Sequence, residues 1–250
     1  MDFSMDLLLL VVVGFFAGII NTLAGGGSLL TLPMLIFMGL PSGVANGTNR
    51  IAIILQNVMG TAGFRSRGVK TFPFSNYLGV SALFGAIIGA QIAVDINDTL
   101  FNRILAITMI IIVLLIIFKP KLKFEDLAER TTGKYLWISC IVFFFIGIYG
   151  GFLNAGVGFI MILFFNYVNR ISLVKANATK VAVVVIYMCG ALFMFAMNDM
   201  INWQYGLILS IGNMTGAWFG SRYAVKKGDG FVKKFLVVAI IGMAIKLWFF

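Results

Sequence analysis

The sequence predicts an all-α polytopic membrane protein, an inverted-topology repeat of two five-segment halves with eight full spans and two short broken or re-entrant helices. Three observations carry this. First, 61% of the 250 residues are hydrophobic and only 11% are charged, where a soluble domain carries about 25% charged residues. Second, apolar runs recur at 7–24, 29–39, 51–64, 77–94, 104–118, 136–155, 157–168, 181–197, 203–221 and 231–250. Eight of these read as spans, and 29–39 and 157–168 are too short. Third, three blocks recur in the same order, the mark of an internal duplication.

The repeat is specific. Gly14-Phe-Phe-Ala-Gly18 with Asn21 and Gly25 matches Gly147-Ile-Tyr-Gly-Gly151 with Asn154 and Gly158. Ala45-Asn46-Gly47-Thr48-Asn49 matches Ala176-Asn177-Ala178-Thr179-Lys180. Gly79, Gly85, Gly89 and Ala90 match Gly206, Gly212, Gly216 and Ala217 at identical spacing. Small residues at helical intervals allow close helix approach, so the last block reads as packing. The chain divides into a first transmembrane repeat (1–118), a cytoplasmic linker (119–134) and a second transmembrane repeat (135–250).

In chain order, the first run carries Asp2 and Asp6 ahead of it and no Lys or Arg, so it lacks the basic n-region of a signal peptide. It ends at Gly25-Gly26-Gly27, each of which costs about 1 kcal/mol relative to alanine in a helix. Pro33 then removes a backbone donor from the short run 29–39. Broken helix is tolerated in hydrocarbon only where it is buried in protein or lines a cavity. A polar stretch from Pro41 to Arg50 opens the run 51–64, and the pattern returns at Gly156-Val-Gly158, the short run 157–168 and the stretch before 181–197.

Orientation follows from charge. The loops Arg65–Lys70, Lys119–Lys134 and Arg222–Lys234 are rich in Lys and Arg and are expected in the cytoplasm. Asp95, Asp98 and Asp199 mark the outside. Counting between these points makes 7–24 and 29–39 a hairpin entering from outside, and 136–155 and 157–168 a hairpin entering from the cytoplasm. Both termini then lie outside. This is the plan of secondary transporters that bind substrate near the midplane between broken helices.

Composition excludes several classes. Formal charge is +10, from 19 Lys and Arg against 9 Asp and Glu. In a membrane chain that excess marks positive-inside loops rather than nucleic-acid binding. The sequence has no histidine, which argues against a metal site or an intramembrane metalloenzyme; no cofactor is expected. Cys140 and Cys189 lie in apolar runs and read as buried small hydrophobes. Every acidic residue lies outside the apolar runs or at their edges, so a proton relay is missing and an anion is the better substrate.

The candidate site residues are polar groups and glycines inside the apolar sequence. Gly25, Gly26, Gly27 and Ser28, with Gly156 and Gly158, are expected to offer backbone N–H groups. Thr48, Asn49 and Arg50 are expected at the start of a helix 51–64, and Thr179 and Lys180 at the start of a helix 181–197. A helix N-terminus is a ready anion site, and Arg50 and Lys180 would add charge to it. Asn46, Asn177, Thr48 and Thr179 are N-caps or ligand donors. Asn21 and Asn154 either contact ligand or join helices, and Gln56 and Asn57 either line a cavity or bond a neighbouring helix.

These motifs resemble the TauE/SafE sulfite-exporter family, the TSUP permeases. The likeness is carried by Gly14-Phe-x-Ala-Gly18, Gly25-Gly-Gly-x-Leu29-x-x-x-Pro33, Gly39-Leu-Pro41 and Gly47-Thr-Asn49, with Gly156-x-Gly158 and Ala176-x-Ala-Thr-Lys180 as the second-half counterpart. It spans essentially the whole chain and implies a carrier of the bacterial inner membrane for sulfite or an organosulfonate such as sulfoacetate. Gly25–Ser28, Thr48, Asn49, Thr179 and Lys180 occupy the motif positions, and Gly-Val-Gly-Phe at 156–159 lacks the third glycine. The expected function is therefore export of a small sulfur-containing anion. The alternatives are import of another small anion or a non-transport membrane scaffold.

Overall fold

A computed structural model describes residues 3–117 and 128–223. The last apolar run, most of the 119–134 linker, the C-terminus, and Asp2, Glu125, Asp126 and Asp229 lie outside the described residues. The chain there folds into α1 (Phe3–Ala24), α2 (Ser28–Phe37), α3 (Ser42–Arg65), α4 (Phe74–Asp95), α5 (Asp98–Ile117), α6 (Lys134–Phe152), α7 (Val157–Phe164), a π-helical turn (Phe165–Asn169), α8 (Leu173–Met197) and α9 (Trp203–Tyr223). Helix starts are set locally. Asn97 Oδ1 accepts from Leu100 N–H, Ser172 Oγ from Lys175 N–H and Asn202 Oδ1 from Tyr205 N–H, each satisfying an orphan donor of a first turn.

Two helices are longer than the apolar runs indicate. The polar stretch before residue 51 is not an approach to α3 but its first two turns, since α3 begins at Ser42 directly after Pro41. Likewise α8 begins at Leu173 after the Ser172 cap. Arg50 and Lys180 are therefore not at helix starts. They lie roughly 12 Å and 10 Å inside α3 and α8 at 1.5 Å per residue.

Contacts give the helices their directions. A β-carbon on Gly14 or Gly18 of α1 would fall against the carbonyls of Leu209 and Asn213, and one on Gly212 or Gly216 of α9 against those of Val11 and Phe15. Register advances together, so α1 and α9 are parallel. Gly85 and Gly89 of α4 meet Phe144 and Ile148 of α6 in the same way, while Gly147 and Gly151 of α6 meet Ala82 and Ala86. All of these glycines pack backbone on backbone, the role expected of Gly85, Gly89, Gly212 and Gly216, while Gly79 and Gly206 sit against Ile186 and Ile51. The main packing partners are α1 with α9, α4 with α6, and α3 and α8 with each other and with α9 and α4 respectively.

The bundle has two chemically different ends. One gathers the α3–α4 loop, the segment before α6 and the start of α8: Arg130 N–H donates to Asn169 O, Lys175 pairs with Glu129 at 2.5 Å, and Phe64 clusters with Ala178. Arg65, Arg67, Lys70, Arg130, Lys134, Arg170 and Lys175 lie there. At the other end Gly43 N–H donates to Asp98 and Asn202 N–H to Thr48 Oγ1, and Asp95, Asp98 and Asp199 are exposed. α1 enters from the acidic end and α2 returns to it; α6 and α7 make the same excursion from the basic end.

The side-chain distribution is that of a membrane protein. On α4, Leu78, Ala82, Gly85, Ala86, Gly89 and Ala90 face inward, whereas Tyr77, Val80, Phe84, Ile88 and Ile92 are exposed. Large apolar residues outside and small ones inside suit lipid contact and close helix packing. Four described helices are long and apolar enough to cross a membrane, within 74–95, 98–115, 134–152 and 173–197. Cys189 is exposed on this apolar surface and Cys140 partly so, not buried as their surroundings in sequence indicate.

Because the α4–α6 and α1–α9 contacts leave no room for a methyl group, Gly85→Ala and Gly212→Ala are each expected to destabilise the protein by about 1–3 kcal/mol. Gly60→Ala, whose β-carbon would reach Val181 at an ordinary 3.5 Å, serves as the tolerated control. Thermal unfolding of the detergent-solubilised protein measures the difference; equal melting temperatures for all three would contradict the packing.

Candidate anion site at the two glycine tips

The turns between α1 and α2 and between α6 and α7 meet inside the bundle. Gly25 has φ +78°, a left-handed conformation that glycine adopts without strain. A β-carbon there would fall on the backbone of Gly158, and one on Gly158 would fall on the Cα of Gly25. The second tip turns through Asn154 (φ 58°) and Gly156 (φ 72°). Asparagine is another residue that tolerates this region, and in the first tip Gly25 is the left-handed residue. Asn154 also links the tips: its Nδ2 donates to Ser28 Oγ at 3.1 Å, and its Oδ1 accepts from Tyr187 OH at 2.7 Å. Tyr149 OH donates to the Ala155 carbonyl at 2.5 Å.

Each tip opens a helix. The first N–H groups of a helix have no intrahelical acceptor, and among the described residues the amides of Gly26, Gly27, Ser28, Gly156, Val157 and Gly158 have none elsewhere. Two helix N-termini, each with partial positive charge, therefore begin beside the Gly25–Gly158 contact.

Two fully buried cations flank it. Lys180 Nζ donates to the carbonyls of Asn21 (2.7 Å) and Thr22 (3.2 Å) and to Asn177 Oδ1 (2.8 Å), and its stem lies against Gly158. Arg50 donates to the carbonyls of Gly150 (2.5 Å), Gly151 (2.8 Å) and Phe152 (3.3 Å) and to Asn46 Oδ1 (2.9 Å); its guanidinium also stands 5.2 Å from the centre of the Phe195 ring. Each cation thus caps the C-terminus of a broken helix far from it in sequence, where a positive charge complements the macrodipole. This replaces the expected arrangement, in which both sat at helix N-termini against the dipole.

The remaining candidates divide. Asn46 and Asn177 are not N-caps: they orient Arg50 and Lys180, and also donate to Phe152 O (2.8 Å) and Leu23 O (3.4 Å). Thr48 accepts from the Asn202 amide, Thr179 returns its hydroxyl to Lys175 O, and Asn49 Oδ1 accepts from Thr31; the two threonines are therefore not caps either. Asn21 enters through its carbonyl. Gln56 and Asn57 are buried on α3, and Gln56 Nε2 and Asn57 Oδ1 lack partners; Asn57 Nδ2 bonds back to Ile53 O. Tyr149 and Tyr187 escaped the sequence reading. The signal was a tyrosine within an apolar helix, whose hydroxyl needs a partner when buried.

Electrostatically the region is positive. Among the described residues no Asp or Glu is buried, and no group of His, Cys, Asp and Glu could hold a metal ion. Among the described residues Arg50 and Lys180 are met by neutral groups alone, oxygens for both and, for Arg50, also the Met188 sulfur and the Phe195 ring. Buried charge carries a desolvation cost of several kcal/mol per ion that dipoles offset only in part, so an anion entering near the tips would meet favourable potential and unpaired donors.

A bundle with an apolar exterior and a buried polar seam between broken helices is a polytopic membrane protein. The model of the sulfite exporter TauE/SafE family matches residues 10–247, and the chain belongs to this family. It is 29% identical over 238 residues to a "Probable membrane transporter protein ORF9" of Sinorhizobium sp, covering 95% of this chain and 90% of that one. It is also 28% identical over 248 residues to a "Probable membrane transporter protein" of Haemophilus influenzae (99% and 96% covered). A third relative, "Probable membrane transporter protein YfcA" of Escherichia coli K12, is 28% identical over 235 residues (94% and 87%). No solved structure matches the chain.

Arg50→Met would leave the Gly150 and Gly151 carbonyls at the end of α6 without their donor, while Asn46 still serves Phe152, at a cost of about 3 kcal/mol. Arg50→Lys keeps the charge but loses the planar fork and should fall between Met and the parent. Arg103→Met, at an exposed position, should leave the melting temperature nearly unchanged. If Arg50→Met melts like Arg103→Met, the capping role is wrong.

Proposed function

We propose that the protein exports a small sulfur-containing anion, sulfite or a short organosulfonate such as sulfoacetate, across the bacterial inner membrane. The carrying observation is the meeting of two helix N-termini at Gly25 and Gly158 between two buried cations with no buried carboxylate among the described residues. The substrate head group would accept from the amides of 26–28 and 156–158, with Lys180 and Arg50 supplying the field. Ser28, Asn154, Asn21, Gln56 and Asn57 would supply neutral contacts. The sulfur chemistry rests on the family.

The opposite entry of the two hairpins supports reading the chain as an inverted repeat, with α1 to α5 forming one half and α6 onward the other. By the positive-inside rule the basic end faces the cytoplasm, which places the N-terminus outside. Alternating access would then follow from movement of the halves about the site.

Uptake of labelled sulfoacetate and sulfite into proteoliposomes of the purified chain tests the function. Gly25→Ala adds a methyl group where the tips touch and forces alanine into a left-handed conformation; it is expected to lose most flux, while Gly60→Ala keeps it. Comparable flux in the two variants would remove the tips from the site, and absence of sulfonate and sulfite flux in the parent would reject the substrate class.

Energy coupling has its own test. With no buried carboxylate among the described residues and no histidine in the chain, the membrane potential alone is the expected drive. Moving one negative charge down the potential releases about 2.3 kcal/mol per 100 mV. Efflux of sulfoacetate with the potential clamped by potassium and valinomycin should rise as the lumen is made negative, and should ignore a pH gradient at fixed potential. Efflux that follows the pH or sodium gradient instead would show a coupling site elsewhere.

A further inference from the structure

Away from the tips, at the basic end, a cavity of about 420 Å³ opens between the end of α3 and the loop to α4. This lies within the roughly 300–1,000 Å³ range of small-molecule sites. Its polar lining is Thr61, Arg65, Lys70 and Thr71, and no carboxylate contributes. Thr61 Oγ1 is buried without a hydrogen-bond partner. Glu129, the acidic residue described at this end, is held by Lys175 at 2.5 Å, and among the described residues neither Arg65 nor Lys70 forms an ion pair. The inner wall is Phe64 and Ala178, which cluster with Val181, the neighbour of Lys180 in α8.

We propose that this cavity is a second anion site, taking a tetrahedral oxyanion of the sulfonate or phosphate type with a short organic remainder. Such a head group accepts hydrogen bonds from several directions at once. A guanidinium fork, an ammonium and a free hydroxyl supply them, and the apolar wall suits the remainder. Its role as the cytoplasmic entrance to the tip site rests on the transport reading above; binding itself does not.

The test is calorimetric titration of sulfoacetate into the full chain in nanodiscs of phosphatidylcholine alone. Arg65→Gln with Lys70→Gln is expected to weaken one saturable binding phase about tenfold or more. Thr61→Val should weaken the same phase without changing charge. Arg67→Gln with Lys134→Gln removes two charges from the same end but none from the cavity lining, and should change affinity little. Equal effects of the two double variants would reduce the cavity to diffuse electrostatics, and no effect of either would overturn the site. Phosphatidylglycerol added to the nanodiscs distinguishes the source: if it abolishes the Arg65- and Lys70-dependent phase, a lipid head group is the occupant and the entrance role is overturned. Binding that depends on Arg65 and Lys70 without flux would keep the site and reject transport. Flux without such binding would do the reverse.

Discussion

The structure depends on two buried cations that each serve a broken helix far away in sequence. Arg50 on α3 holds the last carbonyls of α6, and Lys180 on α8 holds the last carbonyls of α1. A helix that stops inside a membrane leaves acceptors with no water to satisfy them, so the interruption itself calls for a donor brought from elsewhere. A cation answers with both hydrogen bonds and charge, at the dipole end that favours it. Once α1 and α6 can stop, α2 and α7 can restart, and their free amides exist at all because of that restart.

Much of this was legible in one sequence. Composition and run lengths indicated a helical membrane protein, the glycine clusters marked both breaks, and the matched blocks placed Arg50 and Lys180 in related positions. The errors share a cause. Hydropathy assigns a polar stretch to a loop, so from sequence Ser42–Arg50 and Leu173–Lys180 look like approaches to helices, whereas they are the opening turns of α3 and α8. What makes those turns affordable inside the bundle is a set of partners over a hundred residues away in sequence, such as the Phe152 carbonyl for Asn46 and the Leu23 carbonyl for Asn177. No local pattern encodes them. Tyr187 was missed for the same reason, since its role exists only once Asn154 stands opposite it.

The division of labour between side chain and backbone also explains the residue economy of the interior. Where helices must touch, glycine and alanine let main chain meet main chain, as between Gly89 and Ile148. Where helices must end, long donors reach across, as from Arg50. Bulk is sent outward to lipid in Phe84, Phe145 and Phe193. The bundle is consequently held by few strong polar contacts and by close packing along glycine-lined faces.

The parallel pairing of α1 with α9 has a consequence for biogenesis. Gly14 meets Leu209, a residue made nearly two hundred positions later, so α1 waits through the synthesis of the intervening helices for its long-term neighbour. Through that interval its glycine-lined face must be covered by lipid, by the insertion machinery or by a provisional helix. Non-local contacts of this kind delay folding and leave incomplete intermediates vulnerable. Truncated or stalled chains of this architecture are accordingly natural clients for membrane chaperones and quality-control proteases, even when every helix they contain has already been inserted correctly.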